Sequence, residues 1–156
     1  MSHDVFMRRA IALARENAAA ARGGPFGAVV VQDGRIVGEG ANRVTATLDP
    51  TAHAEVVAVR AACAALGRFD LRGCDVYASC EPCPMCLSAA YWARVDRLYY
   101  AADRADAARA GFDDDVLYRE VSLAPDARRL PMIRLLRDEA LEPFVAWART
   151  PDRVPY

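Results

Sequence analysis

The sequence predicts an α/β sandwich built around a largely parallel core sheet, and three observations support this fold class. Strand-like runs rich in β-branched residues alternate with helix-like segments, which is the pattern of packed α/β layers. The length of 156 residues and the hydrophobic fraction of 54% suffice for a sizeable core and exclude a disordered chain. No apolar run approaches the ~18 residues of a membrane span, and no linker or repeat divides the sequence. We therefore expect one domain over residues 1–156.

The predicted elements follow from local sequence signals. The first 22 residues carry apolar side chains at roughly helical spacing, and the Gly-Gly-Pro run at 23–25 ends that helix. The Asp-Gly pair at 33–34 lies between two β-rich runs and predicts a hairpin. Thr51 is a candidate N-cap and Gly67 a candidate C-cap of the next long helix. Predicted strands cover 27–31, 35–39, 75–79, 95–101 and 132–136; predicted helices cover 1–22, 52–66, a segment ending near 93, 103–109, a turn containing Tyr118, and 138–149, with loops at 42–50 and 111–115.

Charge and cysteine content narrow the class of protein. The formal net charge is -1, and all 20 cationic residues are arginine, so no global basic field attracts a nucleic acid. Five cysteines in a chain without a secretory signal argue against a disulfide framework and favour metal-binding or reactive thiols in reduced cytosol. We therefore expect a cytoplasmic protein with neither a nucleic-acid nor a membrane partner.

Two short motifs predict a catalytic metal site. Cys83 and Cys86 lie three residues apart where a predicted strand meets a helix, so both thiolates share one helix face; taken alone, this pair fits structural cysteines equally well. His53 begins another predicted helix and supplies a third ligand. Three protein ligands leave one position of tetrahedral zinc open, which is typical of catalytic sites. Glu55, two residues further on, is the candidate proton acceptor, and its alternative is an acid that stabilises a helix N-terminus.

These motifs resemble the signature of the zinc-dependent cytidine/deoxycytidylate deaminase superfamily, His-x-Glu followed by Pro-Cys-x-x-Cys. Within it, the chain is similar to the bacterial guanine deaminases over almost its whole length. The stretches that carry this similarity are 23–28, 49–56, 79–86, 91–94, 106–108, 110–114 and 143–147, together with a C-terminal tyrosine. The resemblance implies a three-layer α/β/α sandwich with a central mixed five-stranded sheet and one Zn²⁺ per subunit. It also implies hydrolysis of guanine to xanthine and ammonia, with Glu55 relaying a proton to a ring nitrogen.

The resemblance further assigns residues to the substrate. Asp114 matches an acid that moves protons to the leaving amine in similar enzymes. The alternative is that Asp114 is only part of a solvated acidic loop. Asn42 is expected to reach an edge of the ring, with a turn residue as the alternative. Ala54, between the histidine and the glutamate of the motif, is expected to contact the substrate.

Aromatic residues supply the remaining expectations. Phe26 and Trp92 are candidate stacking walls for a flat base, with core packing as the alternative. Tyr156 matches a C-terminal tyrosine that closes over the substrate in similar enzymes. The alternative is that Tyr156 belongs to a frayed C-terminus without a role in the site. The resemblance also implies a homodimer with an exchanged C-terminal segment, about residues 138–156. The last predicted helix carries an apolar stripe that consists of Leu141, Phe144 and Trp147. This stripe could pack on the core of its own subunit or on that of a partner subunit.

Three alternatives remain. Some guanine deaminases carry an aromatic residue where this chain has Leu48, so an aminotriazine, or a pyrimidine, is an alternative substrate. A tRNA adenosine deaminase shares the zinc motif, but it needs a cationic surface that this acidic chain lacks. A non-enzymatic zinc module would need a fourth ligand, for which Cys80 is the nearby spare thiol.

Overall fold

The central sheet has four strands in a computed structural model that describes residues 2–112 and 114–156. The strands are β1 (Gly27–Gln32), β2 (Arg35–Ala41), β3 (Cys74–Cys80) and β4 (Arg97–Ala102), in the order β2-β1-β3-β4. β1 pairs antiparallel with β2 and β3, whereas β3 pairs parallel with β4. The sheet is mixed, and the expectation of a largely parallel sheet is wrong. The hairpin makes β2 antiparallel to β1. The pairing of β1 with β3 is antiparallel as well, so β1 lies between two strands that run opposite to it.

The helices differ from the prediction mainly at their boundaries. The long helix after the hairpin begins one residue after His53, which is its N-cap. Thr51, the predicted cap, instead donates its hydroxyl to Asp49 Oδ1 at 2.7 Å. A short helix lies within the predicted loop 42–50. The helices are α1 (His3–Ala19), α2 (Val44–Thr47), α3 (Ala54–Leu66), α4 (Pro84–Ala93), α5 (Arg104–Arg109), α6 (Asp115–Ser122) and α7 (Glu142–Arg149), with 3-10 turns at Pro125–Ala127 and Glu139–Leu141.

The two faces of the sheet bury separate cores. Along β1, alternate side chains point to opposite faces, as the period of a strand requires. Ala28 and Val30 pack with the buried alanines of α3, and Val29 and Val31 pack with Phe6 of α1. Helices therefore cover both faces of the sheet, and the layers follow the order helix, sheet, helix.

Helix α3 lies directly on the backbone of β2. A Cβ atom at Gly40 would lie 2.2 Å from the Ala54 carbonyl oxygen, and one at Gly38 would lie 2.5 Å from that of Ala58. Side chains of any size at these two positions would push the helix away from the sheet. The glycines therefore set the height of α3 over the sheet, and with it the position of His53 at the start of the helix.

The predicted fifth strand does not form. Residues 131–136 make no strand, and Met132 and Ile133 are exposed. An apolar run has a high β propensity, but a strand forms only where a neighbouring strand offers pairing and burial. The predicted helix 138–149 is shortened to α7, since Pro143 in its first turn lacks the N–H that a longer helix would need. Asp113, in the predicted loop 111–115, lies outside the described residues.

The chain divides into two compact units, Met1–Tyr118 and Arg119–Tyr156. The first contains the sheet and α1 to α5. The second contains the end of α6, the two 3-10 turns and α7, and its large apolar side chains are exposed. Within the described residues, no helix combines the length and the apolarity needed to cross a membrane.

Candidate active site

Three predicted metal ligands converge between the N-termini of two helices. His53 caps α3, Cys83 caps α4, and Cys86 lies in the first turn of α4. Their ligand atoms all lie within 4.8 Å of one another. The Nδ1 atom of His53 is 3.6 Å from Cys83 Sγ and 3.5 Å from Cys86 Sγ.

This donor set fits zinc. A nitrogen and a sulfur bound to tetrahedral zinc at ordinary bond lengths are about 3.5 Å apart, which matches both measured separations. Thiolate and imidazole are also the ligands that zinc prefers. Cys80 is not part of this cluster: its Sγ donates to the Asp103 carbonyl oxygen at 3.6 Å, and burial raises the pKa of its thiol to about 11. Among the described residues, the cluster therefore offers three ligands, which is the number that catalytic zinc sites use.

The two neighbouring thiols shift each other's pKa in opposite directions. A hydrogen bond from Cys86, aided by His53, lowers the pKa of Cys83 to about 4. The same hydrogen bond, together with burial, raises the pKa of Cys86. The hydrogen bond to Cys83 also raises the pKa of His53. These shifts favour ionisation of Cys83 over that of Cys86. Zinc binding requires both sulfurs as thiolates.

Glu55 lies against the ligand cluster. Its Oε2 accepts a hydrogen bond from Cys86 Sγ at 3.4 Å, and its side chain lines the same cavity as His53. Burial raises the pKa of this carboxyl group. A raised pKa brings a carboxyl group closer to neutral pH, where a general acid–base group works best. The geometry therefore fits the predicted proton acceptor.

A cavity of about 290 Å³ opens over this cluster. Its lining contains six residues that the sequence analysis singled out and five that it did not. The predicted residues that line it are Phe26, Asn42, His53, Glu55, Cys83 and Asp114, and the additional ones are Gly24, Val44, Thr45, Glu81 and Phe112. The lining combines polar and charged side chains with the two phenylalanine rings. This is the usual composition of a pocket for a small, flat ligand.

The aromatic wall is formed by Phe26 and Phe112. Their ring centroids are 4.8 Å apart, and the rings meet edge to face at 81°. This contact holds Phe26 in place, because aromatic pairs favour such geometry. Sequence reasoning missed Phe112, although it lies in the 110–114 stretch that supported the resemblance to guanine deaminases.

The Asn42 side chain has a defined orientation. Its Oδ1 accepts hydrogen bonds from the backbone N–H groups of Gly24, at 3.3 Å, and Val44, at 3.2 Å. Because both partners are donors, the oxygen end of the amide must face them. The amide nitrogen is therefore the end of Asn42 that is available to a ligand.

The remaining predicted residues are placed differently. Ala54 is buried in the first turn of α3 and does not line the cavity. Trp92, near the end of α4, is 63% exposed and lines a separate depression with Ser88, Tyr91 and Arg94, so the structure does not bring it to the cavity. Tyr156 belongs to the second unit and is also exposed.

The fold and site define a deaminase. Residues 1–102 match the family described as the cytidine and deoxycytidylate deaminase zinc-binding region, and the chain belongs to this family. His53, Cys83 and Cys86 lie within the matched residues, positioned as a possible zinc site.

Relatives narrow the comparison to one branch. The guanine deaminase of Bacillus subtilis is 50% identical over 156 residues, which cover 100% of both chains. A crystal structure of guanine deaminase from Bacillus subtilis matches with a TM-score of 0.97, covering 100% of this chain and 99% of that chain. A structure of guanine deaminase from Nitrosomonas europaea is 36% identical, with a TM-score of 0.69, covering 72% of this chain and 65% of that chain. The resemblance to bacterial guanine deaminases is confirmed.

Similarity to a tRNA-editing enzyme is more limited. The tRNA-specific adenosine deaminase of Agrobacterium fabrum is 50% identical over 78 residues, covering 50% of this chain and 51% of the relative. The percentage identity equals that of the Bacillus relative, but the match covers half of this chain instead of all of it.

Proposed function

We propose that this chain is a zinc-dependent hydrolase that converts guanine and water to xanthine and ammonia. The observation that carries this proposal is the cavity over the ligand cluster, in which His53, Cys83 and Glu55 lie together with an oriented amide and two aromatic rings. Full-length similarity to guanine deaminase supports the choice of substrate. In the reaction, a bond forms between a water oxygen and C2 of guanine, and the bond from C2 to the exocyclic nitrogen breaks.

His53, Cys83 and Cys86 hold one zinc ion. When bound, the ion supplies Lewis acidity that makes water nucleophilic at neutral pH. Glu55 Oε2 accepts a proton from the attacking water and returns it to a ring nitrogen. One residue separates His53, the N-cap of α3, from Glu55 in the first turn, so the start of the helix holds the proton acceptor beside the ligand. Such positioning favours catalysis because the group needs no further ordering before the reaction.

Residues that line the cavity supply most of the proposed substrate contacts. Phe26, held by Phe112, stacks on the flat ring, and the amide nitrogen of Asn42 donates to an acceptor on a ring edge. Ala54 does not line the cavity, so a contact with the substrate would be made by its backbone N–H, one of the first amides of α3, which have no partner within a helix. Asp114, at the cavity wall, moves a proton to the departing amine. The leaving group is then ammonia rather than the poorer amide anion.

A substrate panel tests the proposed function. The zinc-loaded protein is incubated with guanine, adenine, cytosine, an aminotriazine and a tRNA anticodon hairpin while ammonia is measured. We expect rapid release from guanine and little from the other compounds. Preferred release from the triazine or from cytosine would assign another small heterocycle, and inosine formation in the hairpin would assign tRNA editing. Ammonia from none of them would favour a zinc module without catalysis.

We also propose that residues 1–156 act as one deaminase domain in a homodimer that exchanges its C-terminal segment, about 138–156. Large apolar side chains of the second unit support this proposal, since Ile133 is 80% exposed and Phe144 is 70% exposed. Exposed apolar side chains in this number favour an interface, and exchange of a terminal element is a low-cost route to a dimer. Light scattering at micromolar concentration tests it, and a monomer mass would contradict it. Tyr156 then closes the substrate site as the end of that segment.

A further inference from the structure

The polar residues buried in the core lie next to each other. Asn17 and Asn42 are both buried, with exposed fractions of 6% and 7%. Burial of an amide is costly unless it is hydrogen-bonded, so each one requires an explanation. Asn42 lines the cavity, whereas Asn17 lies on α1 and does not.

Asn17 bridges two backbone carbonyl groups that belong to the surroundings of Asn42. Its Nδ2 donates to the carbonyl oxygen of Gly24 at 2.9 Å and to that of Asn42 itself at 2.8 Å. The backbone N–H of Gly24 in turn donates to Asn42 Oδ1. The Asn17 side chain, on α1, therefore links Gly24, whose N–H orients the Asn42 amide, to Asn42 itself.

The local packing leaves little freedom for this arrangement. A Cβ atom at Gly23 would lie 2.4 Å from the Asn42 carbonyl oxygen, so the 23–24 backbone approaches Asn42 as closely as only glycine permits. At the end of β2, the Asn42 N–H donates to the Phe26 carbonyl oxygen at 3.1 Å. The amide thus sits in a pocket of backbone groups whose spacing is set by the Asn17 bridge.

We infer that Asn17 is a positioning residue for substrate recognition, which fixes the Asn42 amide with its nitrogen towards the ligand. A donor in a fixed position favours ligands whose ring edge offers a hydrogen-bond acceptor. It disfavours a ring edge that presents an amino group, because two donors would then face each other. Guanine offers oxygen and nitrogen acceptors along one edge. This inference rests on the proposed function for its consequence in turnover, but the orientation of the amide is independent of it.

The first test needs no substrate. Side-chain ¹⁵N relaxation of Asn42 is measured in the zinc-loaded protein and in two variants. We expect an order parameter of about 0.8 or above in the wild type and below about 0.6 in Asn17→Ala, since loss of the bridge frees the amide. Phe6→Leu is the matched control, because Phe6 is an equally buried residue of α1 that packs on the other core. An order parameter that is unchanged in Asn17→Ala, or lowered equally in Phe6→Leu, would overturn the inference.

The second test is a double-mutant cycle on guanine turnover. We expect Asn17→Ala to lower kcat/KM by about three- to tenfold, mostly through KM, which is the range of one net hydrogen bond. In the Asn42→Ala background, the same change should have almost no effect, because its target is already gone. Equal effects in both backgrounds would show that Asn17 acts only on stability. If Asn17→Ala fails to fold, Asn17→Ser retains one donor and should give intermediate values in both tests; wild-type values there would contradict the inference.

The two tests separate the inference from the proposed function. If the wild type releases no ammonia from guanine, the function fails while the relaxation experiment still decides the role of Asn17. If guanine is turned over but the Asn42 amide is equally rigid without the bridge, the function stands and the inference fails.

Discussion

The Tyr118 hydroxyl donates to the Pro82 carbonyl oxygen at 2.6 Å. Pro82 immediately precedes the predicted ligand Cys83. Tyr118 lies in α6, and its backbone N–H donates to the Asp114 carbonyl oxygen at 3.2 Å. The hydrogen bond therefore joins the turn that carries a metal ligand to the segment that carries an acid of the cavity. The guanidinium of Arg104 covers the same ring, 4.9 Å from its centroid.

We expect Tyr118→Phe to loosen this connection. The variant keeps the ring but leaves the Pro82 carbonyl without this donor, which costs about 1 kcal/mol of unfolding free energy. Turnover should fall several-fold with zinc content unchanged. Denaturant unfolding and guanine kinetics measure the two effects. Unchanged kinetics in a destabilised variant would show that the contact is only structural.

Glu55→Gln should abolish most of the turnover while retaining zinc. The amide preserves the shape of the side chain but cannot accept a proton, and general acid–base groups contribute typically ~10²–10⁴-fold. Ammonia release and atomic absorption measure activity and metal. Glu16→Gln, at an exposed position of α1, is the control. Near-wild-type activity of Glu55→Gln would remove this residue from the mechanism.

The two histidines provide a matched pair for the metal site. His53→Ala should lose zinc and part of the thermal stability, because the ion joins the starts of α3 and α4. His3→Ala should retain zinc, although His3 Nδ1 lies 2.7 Å from the Tyr77 hydroxyl and its loss affects α1. Metal analysis after dialysis distinguishes the two variants. Full zinc occupancy in His53→Ala would contradict the assignment.

Deletion of residues 154–156 should strongly reduce guanine turnover. The proposed role of Tyr156 is to exclude water from the substrate site, whereas the deleted residues are exposed and contribute little to stability. Zinc content and melting temperature should therefore stay near wild-type values. Tyr156→Phe, which keeps the ring, should lose less activity than the deletion. Full activity of the truncated chain would leave Tyr156 without a role in catalysis.

The ion pair between α1 and β2 should make stability depend on acidic pH. Arg9 donates to both carboxylate oxygens of Glu39, at 2.8 and 2.7 Å, and this lowers the pKa of Glu39. A carboxyl group with a lowered pKa in the folded state stabilises above its unfolded pKa, and this contribution is lost as pH falls through the folded pKa. Since both side chains are over a third exposed, it is below about 1 kcal/mol.

Glu39→Gln should therefore lower the melting temperature slightly at pH 7 and approach the wild type at strongly acidic pH. Thermal unfolding between pH 2 and 7 measures this difference. Glu139→Gln, at an exposed position of the second unit, should show no such convergence. A constant difference across the pH range would show that the Glu39 charge is not responsible.

Local signals predicted the metal site well. Cys83 and Cys86 share a helix face because of their spacing, and the motif containing His53 marks a helix start, so the ligand positions depend on local structure. Phe112 and Asn17 escaped prediction because their roles depend on contacts between distant segments. The second pairing partner of β1 and the absent strand at 132–136 were missed for the same reason, since strand pairing is decided by tertiary neighbours.

The direct contact of α3 with Gly38 and Gly40 limits how this sequence can vary. A larger residue at either position would lift the helix and carry His53 away from the two sulfurs, although neither glycine touches the cavity. A saturation library scored by zinc retention should therefore find these two chemically inert positions nearly as intolerant as the ligands. Leu48, which follows α2 and is 90% exposed, should accept most substitutions in that assay.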